Sequence, residues 1–271
     1  VAQASNGSGR SSVQAPRPAA FFDLDKTLMS GSSGIFFARA AYETGMISRR
    51  RLARDALENL RFRLRGSTDD RADDVRKRVG EMIAGVRVRD LQRLSPRVLA
   101  GVLPRLYPEM LERAYAHQDA GVPIYIITAA SQEMADLLAL VLGFDGGIGS
   151  RSEILDGHYT GRPAGPFNYR EGKVSSMREV AERDGLDLSA SYAYSDSESD
   201  LPMLRAVANA VVVNPDAELR RIAGDQGWEV LHLDRLGLRL KMITAAAGIA
   251  ALGGLGRVLI AYVGARGHSR A

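Results

Sequence analysis

The chain has 271 residues, 45% of them hydrophobic and 25% charged, an ordinary balance for a folded protein with a sizeable core. It contains no cysteine, which excludes disulfides, thiolate metal sites and cysteine nucleophiles. A net charge of +4 and a pI near 9.5 give a mild preference for anions, too weak at this length to argue for nucleic acid.

Residues 1–18 are rich in Ser, Gly, Gln and Pro without an apolar run, which predicts a disordered tail rather than a targeting signal. Ala19 to Asp23 (AAFFD) is a short apolar run ending in a carboxylate and predicts a buried strand. Gly31 and Gly34 bracket a loop. From Ile35 to about His117 the apolar spacing is helical throughout, with stripes at Leu52, Ala56, Leu57 and Leu60 and at Val75, Val79, Met82 and Ile83. Gly66 followed by Ser67 and Thr68 marks a helix stop and a new N-cap.

Val122 to Thr128 predicts a second buried strand, and Gln132 to Leu142 a helix stopped by Gly143. Ile148–Ile154 and His158–Gly161 read as a hairpin around Asp156-Gly157. Helices over 173–184, 201–208 and 216–223 then alternate with strands over 191–194, 210–213 and 229–233. Alternation of this kind predicts an α/β protein with a Rossmann-like parallel sheet core and an inserted α-helical cap domain. The expected parts are a tail (1–18), a core (19–30 and 120–235), a helical cap (31–119) and a C-terminal apolar helix (236–271).

That last segment, Met242 to Val263, is about long enough to cross a bilayer, which takes roughly 20 residues. Arg257 interrupts it, and Arg239, Lys241, Arg266 and Arg270 flank it. Two readings stay open: a helix docked on the protein, or a weak membrane anchor at the inner face of the cell membrane of an otherwise cytoplasmic protein. The basic stretch Arg49, Arg50, Arg51, Arg54, Arg61, Arg63 and Arg65 is by default a solvated helix face, with anionic substrate or lipid as the alternative. Aromatics are not interleaved as a single-strand nucleic-acid groove requires, so nucleic acid is not an expected partner.

Ligands of such sheets bind beyond the carboxyl ends of the strands. There the sequence places Asp23, Asp25 and Thr27 after the first strand, Thr128 after the second, and Ser195, Asp196, Glu198 and Asp200 after the third, with Lys173 at a helix start between them. Carboxylates converging on one rim call for a hard divalent cation, and oxygen donors without His or Cys favour Mg2+ over zinc. If the chain stays extended through Asp23-Leu24-Asp25, both carboxylates face one side. One can then attack phosphorus while the other handles a proton.

The segments FDLDKTL (22–28) and YSDSESDLPML (194–204), with Thr128 and Lys173 between them, resemble the four motifs of the haloacid dehalogenase superfamily, over roughly residues 19–233. The helical insertion resembles the cap of its phosphoserine-phosphatase-like branch. The resemblance implies a phosphomonoester hydrolase in which Asp23 is nucleophile and metal ligand. Asp25 is then the acid and base, with its carbonyl on the metal. Thr128 and Lys173 hold the phosphoryl group, Asp196 is a direct metal ligand, Asp200 orients metal waters and Lys173, and Thr27 orders the loop. That branch usually carries Ser-Gly-Gly at the second motif and a Glu shortly after the first. This chain has Thr128-Ala129-Ala130 and, over Met29 to Gly34, no acid, so phosphoserine is not assigned. The expected substrate is a small phosphorylated metabolite. A phospholipid-derived monoester and a catalytically silent anion-binding module are the alternatives.

Overall fold

A computed structural model of the chain describes residues 16–47 and 70–233. The tail up to residue 15, the arginine-rich stretch, the Leu52–Leu60 stripe, the predicted cap at Ser67 or Thr68 and the apolar segment 242–263 lie outside the described residues. Among those described, no helix is long and apolar enough to cross a membrane. Residues 16–18, expected in the tail, are part of the fold: Arg17 pairs with Leu186, its carbonyl accepting from the Asp187 N–H at 2.8 Å.

Six strands form one parallel sheet in the order β3-β2-β1-β6-β7-β8. They are β1 (Ala20–Asp23), β2 (Ile124–Ser131), β3 (Gly146–Ser150), β6 (Tyr192–Ser195), β7 (Asn209–Val213) and β8 (Glu229–Leu231). Parallel strands are covered on both faces, which is why β1 is buried at all four residues and reads as an unbroken apolar run. It pairs with β2 on one side and β6 on the other. The strand order therefore reverses beside β1, and a crevice opens beyond its carboxyl end. The connecting helices are α6 (Gln132–Leu142), α7 (Glu171–Asp184), α8 (Leu201–Arg205) and α9 (Ala217–Gln226). Met177, Met203, Leu204, Leu219 and Ala223 pack from these helices against Phe21, Ile127, Ala193 and Val212 of the sheet.

Between β1 and β2 the described residues form α1 (Ser33–Glu43), α2 (Asp70–Ile83), α3 (Val88–Gln92), α4 (Ser95–Val102) and α5 (Pro108–Asp119). Gly34 thus lies inside α1 rather than in a loop. The segments entering and leaving this insertion run side by side. Met29 bridges Leu106, the Ser30 N–H donates to the Arg105 carbonyl at 2.9 Å, and the Tyr107 N–H to the Leu28 carbonyl at 2.9 Å. The last of these helices lies on the sheet: His117 of α5 bonds the Tyr194 hydroxyl at 2.7 Å and meets the Tyr192 ring at 4.4 Å.

The predicted hairpin is divided. Only β4 (Ser152–Leu155) pairs antiparallel with β5 (His158–Pro163), whereas β3 stays in the main sheet with Ile148 opposite Ile127. Its glycines hide it from a propensity reading, and their use is close packing. A Cβ at Gly147 would come within 2.2 Å of the Ala135 carbonyl carbon in α6. Gly147→Ala should therefore cost about 3 kcal/mol, the upper part of the overpacking range, because backbone blocks the new methyl. Gly224→Ala, in α9 with nothing within 4 Å, should instead stabilise by up to ~1 kcal/mol. Urea denaturation of both variants checks this, and a wild-type midpoint for Gly147→Ala would refute the packing argument.

Candidate active site

The site is built from the loop that follows β1. Past Asp23 the chain coils instead of staying extended. The Leu28 N–H donates to the carbonyls of Asp23 and Leu24, and the Met29 N–H to Leu24 at 3.0 Å. Leu24, Leu28 and Met29 are fully buried and anchor this turn. Lys26 adopts a left-handed φ of 61°, with its N–H on the Gly31 carbonyl at 3.1 Å, and Gly31 itself sits at φ 86°, where a side chain is strained. The chain therefore does not stay extended through Asp23-Leu24-Asp25, the condition on which the sequence reading set both carboxylates on one side. The Thr27 hydroxyl is buried and has no hydrogen-bond partner among the described residues, so loop order comes from apolar anchoring and from Asp25.

Lys173, in the first turn of α7, is 3% exposed. Its Nζ donates to Asp23 Oδ1 and to Asp200 Oδ2, both at 2.6 Å. Asp200 Oδ2 also accepts from the buried Ser195 hydroxyl at 2.6 Å. Burial works against the Lys173 charge, but Asp200 and Asp23 outweigh it and hold the ammonium above the ordinary lysine value. Burial pushes the Asp23 carboxyl up to about 7; Lys173 opposes that, while Asp200 and Asp196 reinforce it. Asp196 is likewise raised, first by burial and then by Asp200 against the pull of Lys26, whose exposed Nζ stands 3.6 Å from it. Three carboxylates thus crowd one buried ammonium.

Asp25 has partners of its own. Its Oδ2 accepts from the Ser32 hydroxyl and its Oδ1 from the Ser33 N–H, both at 2.8 Å. Thr128 is buried but lies within β2, not at its end, where the register with β3 shifts between Ile127 and Ser131. Its hydroxyl accepts from the Ala130 N–H at 3.2 Å, and the residue capping α6 is Ser131, so Thr128 is not a helix cap. The structure therefore joins Asp23, Lys173 and Asp200 directly, sets Asp196 beside Lys26, and ties Asp25 to the start of α1. Ser195, which the sequence sets at the strand end without a role, bonds Asp200, and Ser32 is the residue the sequence does not single out. A buried Ser closing an apolar strand signals the first, and Ser-Ser ahead of an apolar helical run the second.

The sequence pattern of the haloacid dehalogenase-like hydrolases matches residues 20–205, a span that contains β1 with its loop, Thr128, Lys173 and the Asp196–Asp200 segment. The chain belongs to this family. A probable phosphatase of Mycobacterium tuberculosis is 36% identical over 247 residues, covering 87% of this chain and 86% of that protein. A phosphoserine phosphatase of the same organism is 35% identical over 243 residues, covering 88% and 78% respectively. A solved protein of unknown function from Bordetella pertussis superposes with a TM-score of 0.71 at 30% identity, over 81% of this chain and 100% of its own. This hydrolase thus shares its α/β architecture with a solved structure and its sequence with phosphatases.

Removing one partner of a buried ion pair costs about 3–5 kcal/mol, because the other is left uncompensated. In this hydrolase Lys173→Met should lose about that much in metal-free urea denaturation. Adding Asp200→Asn should recover part of it. A loss below about 1 kcal/mol would show that the carboxylates do not depend on the ammonium.

Proposed function

We propose that this hydrolase is a phosphatase that cleaves small phosphomonoesters through an aspartyl-phosphate on Asp23, with Mg2+ as cofactor. The reading rests above all on the Asp23–Lys173–Asp200 contact. It holds a buried carboxylate at the carboxyl end of the central strand, beside an ammonium that can neutralise an incoming phosphoryl oxygen. Asp23 Oδ forms a bond to phosphorus as the bond to the leaving oxygen breaks, and Asp25 supplies the proton that oxygen needs. Asp25 then takes a proton from the water that releases phosphate from Asp23. Thr128 and Lys173 hold the phosphoryl group, and Asp200 with Ser195 holds Lys173.

The residues fit a magnesium ion. All donors are oxygens, and the carboxylates that raise one another's proton affinity are short of positive charge. Among the described residues no group of three or more His, Cys, Asp or Glu side chains could hold a metal unaided. Magnesium, which commonly uses one or two carboxylates and keeps several waters, suits that count. Asp23, Asp196 and the Asp25 carbonyl would hold it, and when bound it would neutralise charge on the phosphoryl oxygens.

The insertion expected over 31–119, apart from α5 on the sheet, would act as the cap that selects the organic part of the substrate. The apolar stretch 242–263 favours one second reading, a membrane-held enzyme for a phospholipid-derived monoester.

Phosphate release should require magnesium, stop with chelator and be lost in Asp23→Asn. A panel of phosphoserine, histidinol phosphate, sugar phosphates and lysophosphatidate would test this and separate the two substrate classes. Release that survives Asp23→Asn would overturn the nucleophile assignment. Asp25→Asn should slow turnover of alkyl phosphates by ~10²–10⁴-fold, the usual worth of positioned proton transfer. Single-turnover rates check this, and an unchanged rate would remove Asp25 from the mechanism.

A further inference from the structure

Asp25 is the acid and base of the proposed reaction, yet its carboxylate is committed to the first residues of the insertion. Ser32 stands at the N-cap position of α1, an 11-residue helix, but makes no side-chain bond to its own helix. Its hydroxyl donates a hydrogen bond to Asp25 Oδ2, and Asp25 Oδ1 accepts from the orphan N–H of Ser33. Asp25 therefore does from outside what a capping serine does from within. The Lys26 N–H on the Gly31 carbonyl closes the same loop from the other side. Directly behind it, Ser30 with Arg105 and Leu28 with Tyr107 pair the two segments that carry the insertion. The proton-transferring side chain thus sits where the insertion joins the sheet.

We propose that Ser32 is a positioning residue that sets the orientation of the Asp25 carboxyl, coupling the seat of the insertion to proton transfer. The proposal rests on the phosphatase reading. Its chemistry follows from what each partner can do. With both oxygens accepting, Asp25 is arranged as a carboxylate. To protonate the leaving oxygen it must carry a proton on one oxygen and turn that proton toward the leaving group. The Ser33 N–H can only donate and so keeps Oδ1 as an acceptor. The Ser32 hydroxyl both donates and accepts, so it stays bonded to Oδ2 whether or not that oxygen carries a proton. Oδ2 is thereby selected as the oxygen that hands the proton to the leaving group. It takes one back when water attacks phosphorus.

The readout is leaving-group dependence. An aryl phosphate such as p-nitrophenyl phosphate expels a stable anion and needs little protonation, whereas an alkyl phosphate depends on it. On one aryl and one alkyl substrate that the wild type turns over, Ser32→Ala should raise the aryl-to-alkyl ratio of kcat/KM, which covers the steps up to loss of the leaving group and not the shared hydrolysis of the aspartyl-phosphate, about tenfold or more. It should shift the ratio in the same direction as Asp25→Asn but less, since the shift stays below the ~10²–10⁴-fold of a lost proton transfer. Ser32→Thr, which keeps the hydroxyl, should restore the wild-type ratio. An equal fall on both substrates would show that Ser32 only holds the fold, and an unchanged ratio would show that Asp25 does not need it; either overturns the proposal. Aryl phosphate turnover that persists in Asp23→Asn would refute the phosphatase reading itself, whatever Ser32→Ala does.

Discussion

The arrangement depends on one buried cation held between two carboxylates. Lys173 lies 150 residues from Asp23 and 27 from Asp200, so its two 2.6 Å contacts fix α7, the end of β1 and the loop after β6 against one another. A buried ion pair adds little net stability, since its desolvation offsets its attraction. Its value is geometric: each partner is left costly if the others move. Ser195 extends the chain of contacts by bonding the Asp200 oxygen that Lys173 uses. Phe22 and Tyr194, neighbours of Asp23 and Ser195 in sequence, stack at 4.2 Å across β1 and β6 and hold the same two strand ends together in the core.

Most of the sheet was legible because a strand covered on both faces must be apolar, and AAFFD, VPIYIIT and AVVV say so directly. Among the described residues of the insertion, α1 and α2 were legible from spacing. What stayed hidden had specific physical reasons. β3 is carried by glycines that let α6 approach, a packing demand without a propensity signature. Helix α5 has an amphipathic pattern like its predecessors, and only the contacts of His117 assign it to the sheet. The strand β2 runs on through an irregular step past Thr128, where Ala and Ser give no strong preference.

The site followed a similar division. Which residues would gather was readable from their order at strand ends, and Asp23, Lys173 and Asp200 do meet. How they orient was not. The chain does not stay extended through Asp23-Leu24-Asp25, because the burial of Leu24, Leu28 and Met29 coils it immediately after the strand. The partners of Asp25 are a hydroxyl and a backbone N–H, chosen by the shape of that coil and not by residue type.

That coil also explains why the five residues of Asp-Leu-Asp-Lys-Thr divide their tasks as they do. Asp23 ends the strand inside the crevice, and Leu24 turns into the core. Asp25 is half-buried at the base of α1, Lys26 is exposed beside Asp196, and Thr27 is buried again. One turn of backbone thus sends successive side chains to the crevice, the core, the insertion, solvent and the core. A single inserted or deleted residue would rotate every later side chain onto the wrong surface, as a register slip does in a strand. The spacing is set by the turn that apolar burial enforces, and the chemistry uses the directions that turn leaves open.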